Sequence, residues 1–223
     1  MATKGLKYPV YAIYSEADGE RVYTNGAVAG KAITASVSYI KSGEKLYGDD
    51  ALQEADQTVL GGTITMGTTD LTTEIRAILL GHTTVAEPYV GFVGAGTDEA
   101  PFVGFGFYGV KTGGIFVTFW YNKVQFSEPN DELETKRDRV AFRTPTFSGE
   151  FGLDIKGEWG EILEWNSEAE AIAYLNGKAG IIPKCQKPVA DKASGTYATS
   201  ATVTLTGKAG ETIYYTLNGL TPS

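Results

Sequence analysis

The feature that most constrains the fold is a pair of long apolar stretches joined by a four-residue turn. Residues 102–126 form two runs rich in aromatic and aliphatic side chains, separated by Lys111-Thr112-Gly113-Gly114. Apolar runs on either side of a glycine-containing turn predict a β-hairpin. In the second run both alternating sets are apolar: Phe116 and Trp120 in one, and Val117, Phe119 and Tyr121 in the other. A strand covered on both faces suggests a partner surface beyond the domain's own core.

Other segments alternate with the period of two residues that half-buried strands show. The clearest is Ile33 to Lys41, where apolar side chains alternate with Thr34, Ser36 and Ser38. Shorter segments of the same kind are Thr63–Gly67 and Val140–Phe147. With 28 glycines and 12% aromatic residues, the composition also favours strands and turns. We therefore predict a mainly β fold, a sandwich or barrel.

Two short helices interrupt the strands. Asp70 is a suitable N-cap, apolar side chains follow at helical spacing, and Gly81 is suited to end the helix. Ser167-Glu168-Ala169-Glu170 has the pattern of a capping box, which predicts a second helix near residues 167–177 that ends at Gly177.

A polar, acidic segment, Ser42–Leu60, lies between the first clear strand and Gly61-Gly62. Its carboxylates lack the spacing of an EF-hand calcium loop; they are Asp49, Asp50, Glu54 and Asp56. We interpret the segment as a long solvated loop, with a calcium or acid–base site as the alternative. Loops of this length are usually functional or mobile.

Few residues are available for catalysis or metal binding. One cysteine, Cys185, and one histidine, His82, exclude zinc sites that need several thiolates or imidazoles. The Gly-x-Ser-x-Gly motif of serine hydrolases is absent. The glycine-rich run Gly104–Gly109 lies within a predicted strand, so close backbone approach explains it better than phosphate binding. We predict no catalytic residue, no cofactor and no metal, and interpret His82 as a helix-dipole partner or an exposed side chain.

The net charge of -8 argues against a dedicated nucleic-acid reader, because neutralising phosphates requires a basic face. No apolar run in the sequence is long enough to span a membrane. The first five residues do not open a signal peptide, so we expect synthesis in the cytosol and no membrane partner.

Several distinctive sequence blocks follow one another over roughly residues 3–180. They are Lys4-Gly5-Leu6-Lys7-Tyr8-Pro9-Val10-Tyr11-Ala12, Gly61-Gly62-Thr63-Ile64-Thr65 to Asp70-Leu71, Gly104-Phe105-Gly106-Phe107-Tyr108-Gly109-Val110-Lys111, Trp120-Tyr121-Asn122-Lys123-Val124-Gln125-Phe126-Ser127-Glu128-Pro129, Glu134-Thr135-Lys136 and Phe142-Arg143-Thr144-Pro145-Thr146-Phe147-Ser148-Gly149. Together these blocks resemble the major tail proteins of long-tailed phages, and the block around Val124–Pro129 favours a non-contractile tail.

That resemblance implies a structural tail tube subunit: a β-sandwich or barrel with a flanking helix, assembled into stacked hexameric rings through which phage DNA passes without specific binding. Its expected location is the virion, and its expected partners are itself, the tape-measure protein, the tail tip or baseplate and the tail terminator. On this basis the expected contacts between subunits or rings are Leu46, Tyr47, Asp49, Asp50, Leu52, Phe116, Phe119, Trp120 and Tyr121.

A second resemblance concerns the C-terminal residues. Pro188, Ser194-Gly195-Thr196-Tyr197, Val203-Thr204-Leu205-Thr206, Ile213-Tyr214-Tyr215-Thr216-Leu217-Asn218-Gly219 and Thr221-Pro222 resemble the immunoglobulin-like C-terminal module of chitobiase-type enzymes. We therefore expect a tube domain at 1–182, a linker at 183–190 and a partial immunoglobulin-like segment at 191–223. Because such a sandwich needs roughly 70–100 residues, we expect this segment to be disordered or loosely held.

The alternative function is a carbohydrate-binding surface protein in which aromatic residues of the C-terminal segment, such as Tyr197 and Tyr214, stack on sugars. An enzyme is the third and weakest possibility.

Overall fold

A computed structural model describes residues 3–43, 45–48, 51–55, 58–69, 71–85, 87–129, 145–182, 189–192, 195–196 and 202–206, with only the backbone described at 45–48 and 51–55. The chain divides into two compact units, Met1–Ile181 and Ile182–Ser223. Each unit is described by itself.

Strands and two helices make up the first unit. In chain order they are β1 (Thr3–Ala17), β2 (Glu20–Val28), β3 (Ala32–Lys41), β4 (Lys45–Gly48), β5 (Ala51–Ala55), β6 (Val59–Thr68), α1 (Thr73–Leu80), β7 (Thr83–Val85), β8 (Gly91–Val93), β9 (Phe102–Lys111), β10 (Phe116–Ser127), β11 (Thr146–Gly152), β12 (Gly160–Trp165) and α2 (Glu168–Ala179). The second unit contains two short strands, β13 (Val189–Ala190) and β14 (Leu205–Thr206), which pair antiparallel.

One antiparallel eight-stranded sheet dominates the first unit. Its strand order is β2-β1-β9-β10-β11-β6-β3, and β12 pairs with the first half of β10 while β11 pairs with the second half. The hairpin predicted at residues 102–126 is β9 and β10. The prediction of a mainly β fold with two helices is confirmed, and the described strands form no closed barrel.

Two hydrophobic clusters cover the two faces of β10. Tyr121, Val124 and Phe126 belong to the larger cluster, which joins β1, β3, β6, β9, β11 and α1. Trp120 belongs to the smaller cluster, where Leu175 of α2 packs on the other face. Both apolar faces of β10 are therefore covered by the chain itself, through other strands of the sheet and the two helices.

The glycines of β9 make room for Trp120. A Cβ atom at Gly106 would lie 2.6 Å from Cε3 of Trp120, and one at Gly104 would lie 2.5 Å from its Cζ2. Neither distance is compatible with a side chain unless the ring shifts. The expectation that close approach explains these glycines is confirmed.

Both helices have the predicted kind of ends, at slightly different residues. Helix α1 is capped by Thr72, whose hydroxyl accepts from the backbone N–H of Ile75, and ends at Gly81 with φ 75°. Asp70, the predicted N-cap, lies outside the described residues. In α2 the predicted capping box is present, but the helix continues past Gly177 to Ala179, and Gly180 is the left-handed residue that ends it.

Several loop predictions are corrected. The acidic segment Ser42–Leu60 contains the β4–β5 hairpin and the first residues of β6, so it is not one long loop. The segment after α1 contains the paired strands β7 and β8, which no sequence pattern predicted. Most of Val140–Phe147 and all of Ile213–Leu217 lie outside the described residues, as does most of the C-terminal segment predicted to be disordered.

Candidate self-association edge

The structure describes the side chains of four of the predicted contact residues, and these four are buried or half-buried. Trp120 and Tyr121 are fully buried in their own unit, at 0% and 1% exposure, so their side chains offer no surface to a second copy. Phe116 and Phe119 are half-buried against the two clusters. Leu46, Tyr47 and Leu52 lie in the β4–β5 hairpin, where only the backbone is described, and Asp49 and Asp50 lie outside the described residues.

Strand β3 is a terminal strand of the large sheet, and no described strand pairs with its outer side, which we call the open edge. It pairs with β6 on one side and is the last strand in the sheet order. Its pairing with β6 is regular from Thr34 to Ile40, seven consecutive residues without a bulge. From Ala32 to Ile40 it carries no charged residue and no proline, and Ile33 and Ile40 are 44% and 59% exposed.

From Thr34 to Ile40 this edge lacks the charges, prolines and bulges with which soluble proteins usually protect terminal strands, and its register shifts and Lys41 lie at the two ends of the strand. The two other terminal strands of the sheet are protected. In β2 the register shifts around Asn25, which has φ 53°, and Gly26. Strand β12 has six residues, two of which are Glu161 and Glu164. The contrast within one sheet singles out β3 as the edge suited to pairing with another strand.

His82 lies in a cluster of charged side chains, and its own side chain is mostly buried. Its Nδ1 is 2.7 Å from Asp98 Oδ2, its Nε2 is 3.1 Å from Glu128 Oε1, and its ring stacks on Phe92 with centroids 4.7 Å apart. The hydrogen bond to Asp98 is the main reason why the pKa of His82 is raised above its ordinary 6.5. The interpretation of His82 as an exposed side chain is therefore corrected, because its side chain is only 8% exposed.

This cluster is not a metal site. The two carboxylates bind opposite nitrogens of the ring, so they do not converge on a common point. Across the described residues, no group of three or more His, Cys, Asp or Glu side chains is arranged to hold a metal ion. Sequence distance hides the cluster, since Asp98 and Glu128 lie 16 and 46 residues from His82.

A second buried network connects β2 and β10 to the loop before β12. The fully buried Asp154 carboxylate accepts from Arg21 at 2.7 Å, from Asn122 at 2.8 Å and from the backbone N–H groups of Lys156 and Glu158. Burial alone would raise the pKa of Asp154, but these donors outweigh it and the pKa is lowered. All four donors come from the chain itself, so the network stabilises the fold.

The described helices are too short and too polar to cross a lipid bilayer. Residues 192–223 match the family described as chitobiase/beta-hexosaminidase C-terminal domain, which agrees with the resemblance seen in the C-terminal sequence. No curated protein matches the chain. Neither comparison supports a phage major tail protein, so that resemblance stays a prediction.

Proposed function

We propose that this protein is a structural subunit that assembles with copies of itself through the open edge of β3, as the tube subunit of a phage tail. The unprotected β3 edge carries the proposal. Seven regularly paired, uncharged residues present backbone N–H and C=O groups that a strand of another chain can bind.

The kind of pairing determines the kind of assembly. Two β3 edges paired with each other would give a closed dimer, whereas β3 paired with a different element of the neighbour gives a ring when the rotation between subunits closes and a filament when it does not. The resemblance to tail proteins favours the ring, with six copies and further rings stacked on it. The tape-measure, tip and terminator proteins are the proposed partners, and DNA passing through the tube is the proposed cargo.

Assembly of the purified chain tests this proposal. Light scattering and negative-stain electron microscopy over a concentration series should show rings of about 143 kDa, which is six copies of 23.8 kDa, or hollow tubes. A chain that stays monomeric at every concentration would contradict the proposal.

Matched lysine variants test the role of the edge. Lysine on an edge strand is a natural device against strand pairing, so Ser36→Lys in β3 should abolish rings. Ile162→Lys adds the same charge to the already protected edge strand β12 and should leave rings intact, since Ile162 is 45% exposed. Circular dichroism must show both variants folded. Rings that survive Ser36→Lys would show that β3 is not the assembly edge.

The match of residues 192–223 supports a second candidate function, weak carbohydrate binding by the second unit. Titration of the full chain with chitin oligosaccharides tests it. Saturable binding, observed by isothermal titration calorimetry, would favour this function, and the absence of binding would remove it.

A further inference from the structure

One face of the sheet next to the open edge is lined by hydroxyl groups. Ser36 of β3 is opposite Thr65 of β6, which is opposite Ser148 of β11, which is opposite Ser127 of β10. These four side chains form one row across four strands, and the Thr65 and Ser148 hydroxyl oxygens are 3.2 Å apart. We call the face that carries this row the hydroxyl face.

The neighbouring rows have the same character. On one side, Ser38, Thr63, Glu150 and Gln125 face one another in register. On the other side, Gly67 lies between Thr34 and Thr146, and a Cβ atom at Gly67 would lie 2.5 Å from the Thr34 hydroxyl oxygen. Glu150 is the one charged side chain in these three rows, and they contain no lysine or arginine.

The opposite face of the same strands is apolar. Val37, Ile64, Gly149 and Phe126 form the row between those of Ser36 and Ser38. Ile64 and Phe126 belong to the larger hydrophobic cluster, to which β1, β9 and α1 also contribute. The body of the first unit therefore lies on the apolar side of this sheet, and the hydroxyl face is exposed or half-buried along its length.

We propose that the hydroxyl face lines the inside of the tube, an inference that rests on the proposed function. If the β3 edge of one subunit pairs with a different edge of the same sheet in the next subunit, the sheet continues around the ring. The body of each unit fits only outside the resulting ring, because inside it would fill the passage. The hydroxyl face must then point inward.

Such a wall suits the passage of a polyanion. Proteins bind DNA strongly by neutralising phosphates with lysine and arginine, and these three rows offer neither. Hydroxyl groups keep the wall wetted without fixed positive charge, and Glu150 adds one negative charge per subunit. Lack of attraction to DNA thus arises mainly from a neutral, hydroxyl-lined surface rather than from a wall of carboxylates.

Thiol labelling of assembled tubes tests where the face points. In a Cys185→Ser background, Ser148→Cys and Ser36→Cys place a near-isosteric thiol on the hydroxyl face. Ser148 lies in the middle of the sheet, away from the open edge. If Ser36→Cys prevents assembly because it lies at the edge, Ser148→Cys can still be tested in tubes. Thr84→Cys, at an exposed position of β7, is the matched control.

A small maleimide should label all three thiols in free and assembled protein. A maleimide coupled to a large globular protein should label Ser148→Cys and Ser36→Cys in free subunits but lose that reaction in tubes, while Thr84→Cys still reacts. Equal reaction of the bulky reagent with Ser148→Cys in free subunits and tubes would overturn the lumen assignment alone. A parent chain that never forms tubes would overturn the proposed function, and with it this inference.

A gain of DNA binding gives a second test. Parent tubes should not retain a short duplex DNA against nuclease, whereas Ser148→Arg tubes should retain and protect it at low salt and release it at high salt. Thr84→Arg adds the same charge outside the hydroxyl face and should give no protected DNA. Protection by parent tubes, or no gain with Ser148→Arg, would contradict the inference.

Discussion

At the scale of single residues, Trp120 is the side chain on which the packing of the first unit depends most. It is completely buried, meets Tyr23 edge to face at 5.2 Å between ring centroids, and lies against glycines of β9 and Leu175 of α2. Because β9 lacks side chains where the ring lies, no neighbour on that strand can fill the space that a smaller residue would leave.

We predict that Trp120→Ala lowers the free energy of unfolding by about 3–5 kcal/mol, since the cavity stays largely empty. Urea denaturation followed by far-UV circular dichroism measures this change. Phe102→Ala, an aromatic truncation at a site 42% exposed, is the control and should cost less than about 1 kcal/mol. A loss below that level for Trp120→Ala would mean that α2 and β9 collapse onto the vacated site.

His82 provides a pH-dependent test of the cluster beside α1. The hydrogen bond to Asp98 raises the pKa of His82 above 6.5, and the backbone N–H of Ala95 together with His82 lowers the pKa of Asp98 below 3.8. The contribution of His82 is complete below pH 6.5 and disappears as pH rises through its raised pKa. The contribution of Asp98 is present above pH 3.8 and disappears as pH falls through its lowered pKa. The pair should therefore stabilise the fold most between pH 3.8 and 6.5.

The measurement is direct because His82 is the one histidine in the sequence. We predict that its imidazole resonances in NMR titrate with a midpoint above 6.5, and that Asp98→Asn moves the midpoint down. Glu128→Gln, which affects the second and more exposed partner, should have the smaller effect. A midpoint at or below 6.5 in the parent protein would contradict the geometry of the cluster.

At the scale of elements, the capping box fixes the residue at which α2 begins, and so which side chains of the helix pack against the sheet. The Ser167 hydroxyl accepts from the backbone N–H of Glu170 at 3.2 Å, and the Glu170 side chain accepts from the backbone N–H of Ser167 at 3.2 Å. From this N-terminus, the helix places Ala171 and Leu175 in the cluster that contains Trp120.

We predict that Ser167→Ala costs about 1 kcal/mol of unfolding free energy, because one N-terminal N–H of the helix loses its acceptor. Glu170→Gln is the control, since a glutamine side chain also accepts from the N-cap N–H and should change stability much less. Chemical denaturation of both variants gives the comparison. Equal losses would show that the charge of Glu170 matters more than the hydrogen bonds.

Local patterns predicted some of these elements. Alternation predicted β3, apolar runs around a turn predicted the hairpin of β9 and β10, and the capping-box pattern predicted the start of α2, because each depends on residues close in sequence. No pattern predicted β1, β2 or β12. The same patterns missed the β4–β5 hairpin, since the acidic residues around Gly48 obscured its short strands. They also could not show that Asp98 and Glu128 bind His82, or that α2 covers Trp120, because those contacts depend on the path of the chain between them.

The open edge illustrates a different limit. The sequence shows an uncharged strand from Ala32 to Ile40, but an uncharged strand can equally lie inside a sheet. Only the strand order shows that β3 is terminal while β6 and β11 are internal. The sequence likewise shows that hydroxyl side chains alternate along β3. Only the pairing register shows that Thr65, Ser148 and Ser127 lie beside Ser36 and form a row across the sheet.

At the scale of the whole molecule, the two units separate the two candidate functions. The open edge, both hydrophobic clusters and both helices belong to Met1–Ile181, whereas the match to the chitobiase-type domain begins at residue 192. The last apolar contact of the first unit is Ile181, which packs against the smaller cluster and donates its backbone N–H to Asn176 at 2.9 Å. A chain ending at residue 182 therefore keeps the complete first unit.

We predict that this truncated chain unfolds at the same urea concentration as the full chain and forms the same rings or tubes, because every contact of the two clusters lies within it. Any binding of chitin oligosaccharides should disappear with residues 183–223. Electron microscopy, denaturation and sugar titration of both chains side by side give the comparison. A truncated chain that is folded but no longer assembles, next to a full chain that does, would assign assembly to the second unit and remove β3 from its central role.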